Sequence, residues 1–432
     1  MLKSIRVYFI CTFFSVCIAC DKNNNSSGGV IPPEPTPLKI NINPQEVFQT
    51  ITGFGGANRM WGAQSLKPAE AIKAFGTNEG QLGLSIFRVR LSSNKSEWPI
   101  ILEAVKEANK HGVKVLASPW SPPPALKNNN SDIRGYLLPE NYKAFKDYIN
   151  EFLAFMTKNG AKIDAVSIQN EPDWNPSYES CDWTADEMIN FLKAPGQIVG
   201  AQLAAPESLN FNQNFTNALL QNDEAASKLD IVAGHIYGGG LAKFPLAEQK
   251  KKEIWMTEYL LNLDSGNAGA AKWITYSEAA KWAESIKMLT SVHDAMTNNW
   301  NAYIWWYLQR FYSFIGDGEE GTTNGEILKR GYAFSHFSQF VRPGFVRINA
   351  QASSTNFLKI TVYKKATQTV LVIINPEGFS IKKVQFDGLN LSSATAYTTT
   401  ETTTLNKKTL TITNKMVELD MPPTSVTTVV VN

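Results

Sequence analysis

Cysteine and histidine are scarce in this 432-residue chain, with four of each. Cys11, Cys17 and Cys20 all fall at the N-terminal end, which leaves Cys181 alone in the body of the chain, where no internal disulfide can form. No helix start or basic neighbour is evident around Cys181 to activate it as a nucleophile, so a buried, inert thiol is expected. His111, His235, His293 and His336 never fall at metal-ligand spacing, and neither a metal nor another cofactor is expected. An excess of either charge is missing too: 41 Lys and Arg stand against 39 Asp and Glu. Nucleic-acid binding depends on neutralising phosphates, so this balance argues against it and suits a largely uncharged polymer.

Lys3 and Arg6 precede an apolar run from Val7 to Ala19, too short to span a bilayer and of the kind found in secretory signals. Cys17-Ile18-Ala19-Cys20 places a small residue before a cysteine, and polar Asp21-Lys22-Asn23-Asn24-Asn25 follows. Such a junction is similar to a bacterial lipoprotein cleavage site. Residues 1–19 are then a signal peptide, Cys20 carries the lipid, and the protein is exported to the periplasm or cell surface and attached to a membrane; an ordinary signal cut elsewhere is the alternative. Loss of Lys3 and Arg6 leaves 39 basic against 39 acidic residues. Residues 20–37 run through Asn-Asn-Asn-Ser-Ser-Gly-Gly into Pro32-Pro33-Glu34-Pro35-Thr36-Pro37, a flexible stretch followed by a stiffer spacer.

Aromatic residues are plentiful, at 11% with 11 Trp. Residues 38–50 alternate as a strand does. Over 51–342 a unit recurs: a short apolar run, a polar or glycine-containing loop, then an amphipathic stretch. The runs expected as strands are Ile51–Ala57, Ser85–Leu91, Lys114–Trp120, Ala165–Pro172, Gln202–Ser208, Ile231–Tyr237, Glu253–Tyr259 and Ala302–Leu308. Eight strands alternating with helices predict an α/β fold, a (β/α)8 TIM barrel. Helical periodicity is clear over Pro99–His111 and Pro139–Asn159. Residues 343–432 are rich in Thr and Val with period two and no helical stretch, predicting a small side β-sandwich completed by the strand at 38–50. A free carbohydrate-binding module is the other reading of this region, but exposed-looking aromatics are few there.

In such a barrel the carboxyl ends of the strands face the substrate. Ser167-Ile168-Gln169-Asn170-Glu171-Pro172 and Trp255-Met256-Thr257-Glu258-Tyr259 each deliver one carboxylate there, beside aromatic rings. Two such carboxylates are what glycoside hydrolysis needs: one protonates the leaving oxygen, the other attacks or supports the sugar carbon. Glu171 is the candidate acid/base, to be kept protonated by apolar neighbours such as Trp174; Glu258 is the candidate nucleophile, needing a cation such as Arg88 or a donor such as Tyr237. Candidate substrate contacts are Arg88, Trp120, Asn170, Trp174, His235, Tyr237, Trp306, Arg310 and Tyr312, the rings offering flat faces to sugars. Glu207 also ends a strand but lacks the preceding Asn, and a structural role is expected.

These residues resemble glycoside hydrolase family 30, from Gly53-Phe54-Gly55-Gly56 through Asn-Glu-Pro and the second glutamate to the side domain. Ser118-Pro119-Trp120-Ser121-Pro122-Pro123 and Lys329-Arg330-Gly331-Tyr332 through Phe340-Val341-Arg342-Pro343-Gly344 resemble its bacterial glucuronoxylanase subfamily. The resemblance implies a monomeric, retaining endo-hydrolase of β-1,4-xylan that cuts glucuronoxylan near glucuronic acid branches through a covalent glycosyl-enzyme. It also implies that Arg310, in Trp306-Tyr307-Leu308-Gln309-Arg310-Phe311-Tyr312, grips the branch carboxylate with Trp306 and Tyr312, its planar fork matching that group. Pairing of Arg310 with a local acid such as Asp317 is the alternative. Glu258 is followed by Tyr259-Leu260-Leu261-Asn262 where the subfamily has His-Tyr, and Ser265 aligns with its uronate-gripping serine only after a shift. The segment from Gly316 to Gly325 is long and acidic. Another family-30 β-glycanase, such as a β-1,6-glucanase, and a non-catalytic glycan-binding lipoprotein are the competing functions.

Overall fold

In the computed structural model the described residues are 37–62, 65–263, 271–353, 357–389, 392–414 and 416–432. The signal peptide, Cys20, the segment to Thr36 and Ser265 lie outside them. Among the described residues no helix is long and apolar enough to cross a membrane.

The described residues open with strand β1 (Leu38–Thr50) and then build eight parallel strands. These are β2 (Gly53–Ala57), β3 (Ile86–Leu91), β4 (Lys114–Pro119), β5 (Ala165–Ser167), β6 (Gln202–Ser208), β7 (Ile231–His235), β8 (Glu253–Glu258) and β9 (Ala302–Trp305). They close in chain order, with β9 against β2 through Gly53↔Ala302 to Gly56↔Trp305. The predicted TIM barrel is therefore the fold. Its interior is filled by Ile86, Leu116, Ala165, Ala204, Ile231, Ala233, Trp255, Ala302 and Ile304, all buried. The barrel is thus a packed core, and its chemistry must happen at the rim.

Local sequence explains where strands and helices stop. Gly55 lies so close to β3 that an added Cβ would stand 2.2 Å from the Ile86 carbonyl oxygen. Pro99 sits within a 3₁₀ turn, Lys95–Ile101, and the α-helix begins only at Leu102. Likewise Pro139 opens a 3₁₀ turn ahead of the helix Tyr142–Lys158. Several strands are shorter than the sequence suggests: β2 begins at Gly53 rather than Ile51, β7 ends at His235 rather than Tyr237, β9 ends at Trp305 rather than Leu308, and β5 is cut back most. Ladder pairing of β5 ends at Ser167, not Pro172, because Gln169 turns its side-chain amide to the Trp120 and Asn170 carbonyl oxygens and bends the chain away.

After the barrel come β10 (Val346–Ala352), β11 (Lys359–Lys365), β12 (Gln368–Asn375), β13 (Ile381–Asp387) and β14 (Ala394–Thr399). β15 (Asn406–Thr409), β16 (Ile412–Thr413), β17 (Met416–Met421) and β18 (Ser425–Val431) complete the chain. With β1 they form one curled ten-stranded mixed sheet, ordered β15-β14-β18-β12-β11-β10-β1-β13-β17-β16. β1 runs antiparallel to β10 and parallel to β13, so the N-terminal strand joins the two halves as the sequence suggested. Ile40, Ile348, Leu371, Phe386, Val417 and Val429, drawn from both halves, share one core. The sheet docks on the barrel through helix Lys329–Ser338, whose buried His336 bonds Thr428 and Thr399 hydroxyls, each at 2.8 Å. Burial pushes that imidazole down to about 3, so it is neutral.

Candidate active site

Five barrel strands deliver charged groups to one buried cluster at their carboxyl ends. Arg88 on β3 is fully buried and spends its guanidinium on four neighbours. Nη1 donates to Glu258 Oε2 at 2.6 Å, Nη2 to Asn170 Oδ1 at 2.7 Å, and Nε to Ser118 Oγ at 3.1 Å. Nη2 also lies 3.2 Å from Glu207 Oε1. Tyr237 donates its hydroxyl to Glu258 Oε1 at 3.0 Å, so each oxygen of that carboxylate has a donor. Glu171 stands opposite: its Oε1 is 2.9 Å from His235 Nδ1 and its Oε2 accepts from the Tyr178 hydroxyl at 3.3 Å. Carboxylate oxygens of Glu171 and Glu258 and a ring nitrogen of His235 all lie within 4.8 Å of one another.

The backbone aims these groups. Glu171 and Glu207 both adopt left-handed φ, +47° and +56°, a conformation costly outside glycine and found where function over-determines geometry. The Glu171 N–H donates to the Glu207 carbonyl oxygen at 3.0 Å, and the Asn170 N–H to that of Pro119 at 2.8 Å, pinning the loop to its neighbours.

Three carboxylates share this space with one guanidinium and one imidazole. Burial alone would lower His235, but Glu258, Glu171 and Glu207 outweigh it and hold the imidazole at about 9, hence charged at neutrality. Burial alone would raise Glu207, yet Arg88 and His235 bring it down to about 2. Glu258 is raised, by burial first and by Glu171, with His235 and Arg88 opposing. The donors on both Glu258 oxygens make that group the better-supported anion.

Glu171, His235 and Glu258 each offer a ligand atom, yet they make a poor metal site. The Arg88 guanidinium and the charged imidazole already supply the cationic field, and a metal would compete with Arg88 for Glu258 and with a proton for His235.

The candidate contacts fall into two groups. Arg88, Asn170, His235 and Trp120 are buried and engaged with other side chains, Trp120 lying 4.9 Å under the Arg88 guanidinium. They pack behind and beside the carboxylates; His235 Nε2 is left without a hydrogen-bond partner among the described residues, and the Trp120 ring also meets Trp61 and Trp306. Trp306 and Tyr237 are half-buried, and Trp174 is exposed. Trp174 was expected to desolvate Glu171; its backbone N–H bonds the Glu171 carbonyl, and Tyr178 is the residue that reaches the carboxylate. Arg310 takes its alternative role: Nη1 donates to Asp317 at 3.0 Å and to Glu319 at 2.8 Å. Tyr312 is buried, its ring against Phe311. Cys181 is the buried thiol expected, pushed up to about 12 by its burial.

One residue escaped the sequence reading. Trp61, 39% exposed, brings its ring to Trp120 at 5.4 Å, Tyr178 at 6.1 Å and Trp306 at 6.4 Å, forming an aromatic wall. Glu207, expected to be structural, is fully buried beside Arg88 in the charged cluster. Its strand-end position was the signal; its partners come from other strands and could not be seen.

The family model described as the glycosyl hydrolase family 30 TIM-barrel domain matches residues 71–310, over half of the chain. The chain is also 35% identical over 406 residues to glucuronoxylanase XynC of Bacillus subtilis (strain 168), covering 91% of this chain and 92% of that one. The chain belongs to glycosyl hydrolase family 30. Among solved family-30 proteins, an endoxylanase from Clostridium papyrosolvens C71 superposes with a TM-score of 0.78 at 28% identity, covering 92% of this chain and 100% of that one. The subfamily 8 xylanase Xyn30A from Clostridium acetobutylicum superposes equally well, with a TM-score of 0.78 at 28% identity over 91% of this chain and 99% of that one. For this family-30 chain, the barrel rim that carries Glu171 and Glu258 is thus also the expected place for chemistry on a glycosidic bond.

Proposed function

We propose that this protein is a retaining endo-hydrolase of the β-1,4-xylan backbone, acting on glucuronoxylan. The observation that carries the proposal is the placing of Glu171 and Glu258 with oxygens within 4.8 Å at the barrel rim. Retaining glycosidases hold their carboxyl groups about 5–5.5 Å apart, whereas inverting ones need roughly 6.5–9.5 Å to admit a water between them. Its similarity to a glucuronoxylanase and to two solved xylanases supports xylan as the polymer.

In this reading Glu258 attacks the anomeric carbon of a bound xylose unit. Glu171 gives its proton to the departing glycosidic oxygen, and a xylosyl ester forms on Glu258. Glu171, now a base, takes a proton from water as that water opens the ester, restoring both groups and the configuration. Arg88 and Tyr237 hold the attacking carboxylate ionised and oriented. His235 holds Glu171 in place through Nδ1, 2.9 Å from Oε1. The wall of Trp61, Tyr178 and Trp306 offers ring faces to the chain, and Arg310, with Trp306 and Tyr312, is the proposed contact for a glucuronic acid branch. The protein is further proposed to be an exported lipoprotein acting as a monomer, held to a membrane through Cys20; the junction Ala19-Cys20 and the proline-rich tether support this.

The test is a panel of polymers. Xylo-oligosaccharide ladders from glucuronoxylan, with nothing released from β-1,6-glucan, are expected; release from β-1,6-glucan alone would transfer the site to another polysaccharide. No reducing ends from any polymer would leave only glycan binding.

A further inference from the structure

Arg310 stands in a cluster with its own internal acids. Its Nη1 donates to both Asp317 and Glu319, which commits the two protons of that nitrogen. Arg59 Nη2 reaches the same Asp317 oxygen at 2.8 Å and lies 4.0 Å from Glu319. Two guanidinium groups and two carboxylates make this quartet formally neutral.

The two acids differ sharply. The Asp317 side chain is 4% exposed and bridges both arginines, while that of Glu319 is 54% exposed. The loop carrying them is fastened at its base, where Gly316 N–H donates to the Glu326 carbonyl and Gly325 N–H to that of Gly316, each at 2.8 Å. Within it, the Glu319 N–H donates to Asp317 Oδ1 at 3.2 Å. The loop belongs to the catalytic face: Arg310 lies five residues beyond Trp305, the carboxyl end of β9, and four beyond Trp306 of the aromatic wall.

We propose that Glu319 is an internal competitor for the uronate position, occupying Arg310 in the free enzyme and exchanging with the carboxylate of a glucuronic acid branch while Asp317 stays as the anchor. The inference rests on the xylanase reading above. A branch carboxylate entering the intact quartet would give it a net negative charge and, with Nη1 committed, could meet only the remaining guanidinium donors. Displacing the exposed Glu319 keeps the cluster neutral, and an exposed ion pair costs little to break. The buried, twice-paired Asp317 is far harder to move, since its loss would strand two arginines. Glu319 therefore weakens the grip on acidic branches without touching neutral chain.

The test compares kcat/KM on glucuronoxylan and on the same polymer with its branch carboxylates reduced to alcohols. Glu319→Gln is expected to raise the acidic-to-reduced ratio by about two- to fivefold, the size an exposed ion pair allows, through KM on the acidic polymer only. Glu320→Gln removes the same charge one residue away and should leave the ratio unchanged; Arg310→Gln should erase the preference. An unchanged ratio in Glu319→Gln, or an equal rise in Glu320→Gln, overturns the proposal. Calorimetric titration with free glucuronate needs no turnover and separates this inference from the reading beneath it. Tighter binding to Glu319→Gln than to wild type supports the exchange and equal binding overturns it, whereas failure of the xylanase reading appears as wild-type silence on both polymers.

Discussion

A single imidazole shows how residue chemistry sets behaviour at the site. His235 holds its proton to about pH 9 in the folded protein, whereas an unfolded histidine releases it near pH 6.5. The folded state thus binds more protons between these values. The stability His235 contributes is complete below about pH 6.5 and is lost as pH rises through 9. Melting temperature should fall between pH 6.5 and 9.5 in wild type and fall less steeply in His235→Gln; parallel slopes would separate the imidazole from the alkaline limb. At the neighbouring carboxyl, Glu171→Gln should lower kcat on xylan by about 10²–10⁴, the usual worth of a general acid/base. A loss below tenfold in steady-state assays would remove Glu171 from that role.

Among elements, the first barrel strand tolerates little change. Gly55→Ala would drive a methyl group into the backbone of β3, where no side chain can swing aside. Overpacking of this kind costs about 1–3 kcal/mol or more, so a fall of several degrees in melting temperature is expected, and unchanged melting would show that the closure has slack. The same element level explains what sequence reveals. β6 is read at its true bounds, Gln202–Ser208, because its apolar run ends where its ladder ends. β5 is overextended because Ile168 continues the apolar pattern while Gln169 has already left the sheet. Glu171 and Glu258 are legible from their strand-end contexts, being local in sequence. The Glu207–Arg88–His235 contacts join β6, β3 and β7, and Trp61 lies in a loop without periodicity, so neither leaves a local trace.

At the scale of the whole molecule, barrel and side sheet meet over a neutral histidine. His336 is held near pKa 3 by burial, against about 6.5 when unfolded. Here the unfolded state binds more protons between pH 3 and 6.5, so stability is lost as pH falls through that window. His336→Gln, which can still bond the Thr399 and Thr428 hydroxyls but does not titrate, should flatten the acid limb of a melting-temperature profile. An acid limb as steep as wild type would place its origin elsewhere, the low-pKa Glu207 being next in line.

The most direct measurement is covalent trapping with a 2-deoxy-2-fluoro xylobioside bearing a good leaving group, followed by mass spectrometry of the digested protein. One fluoroxylobiosyl adduct is predicted, on the peptide containing Glu258 and absent from Glu258→Gln. An adduct on Glu171, Glu207 or any other residue, or no adduct on an enzyme that cleaves xylan, would contradict the account.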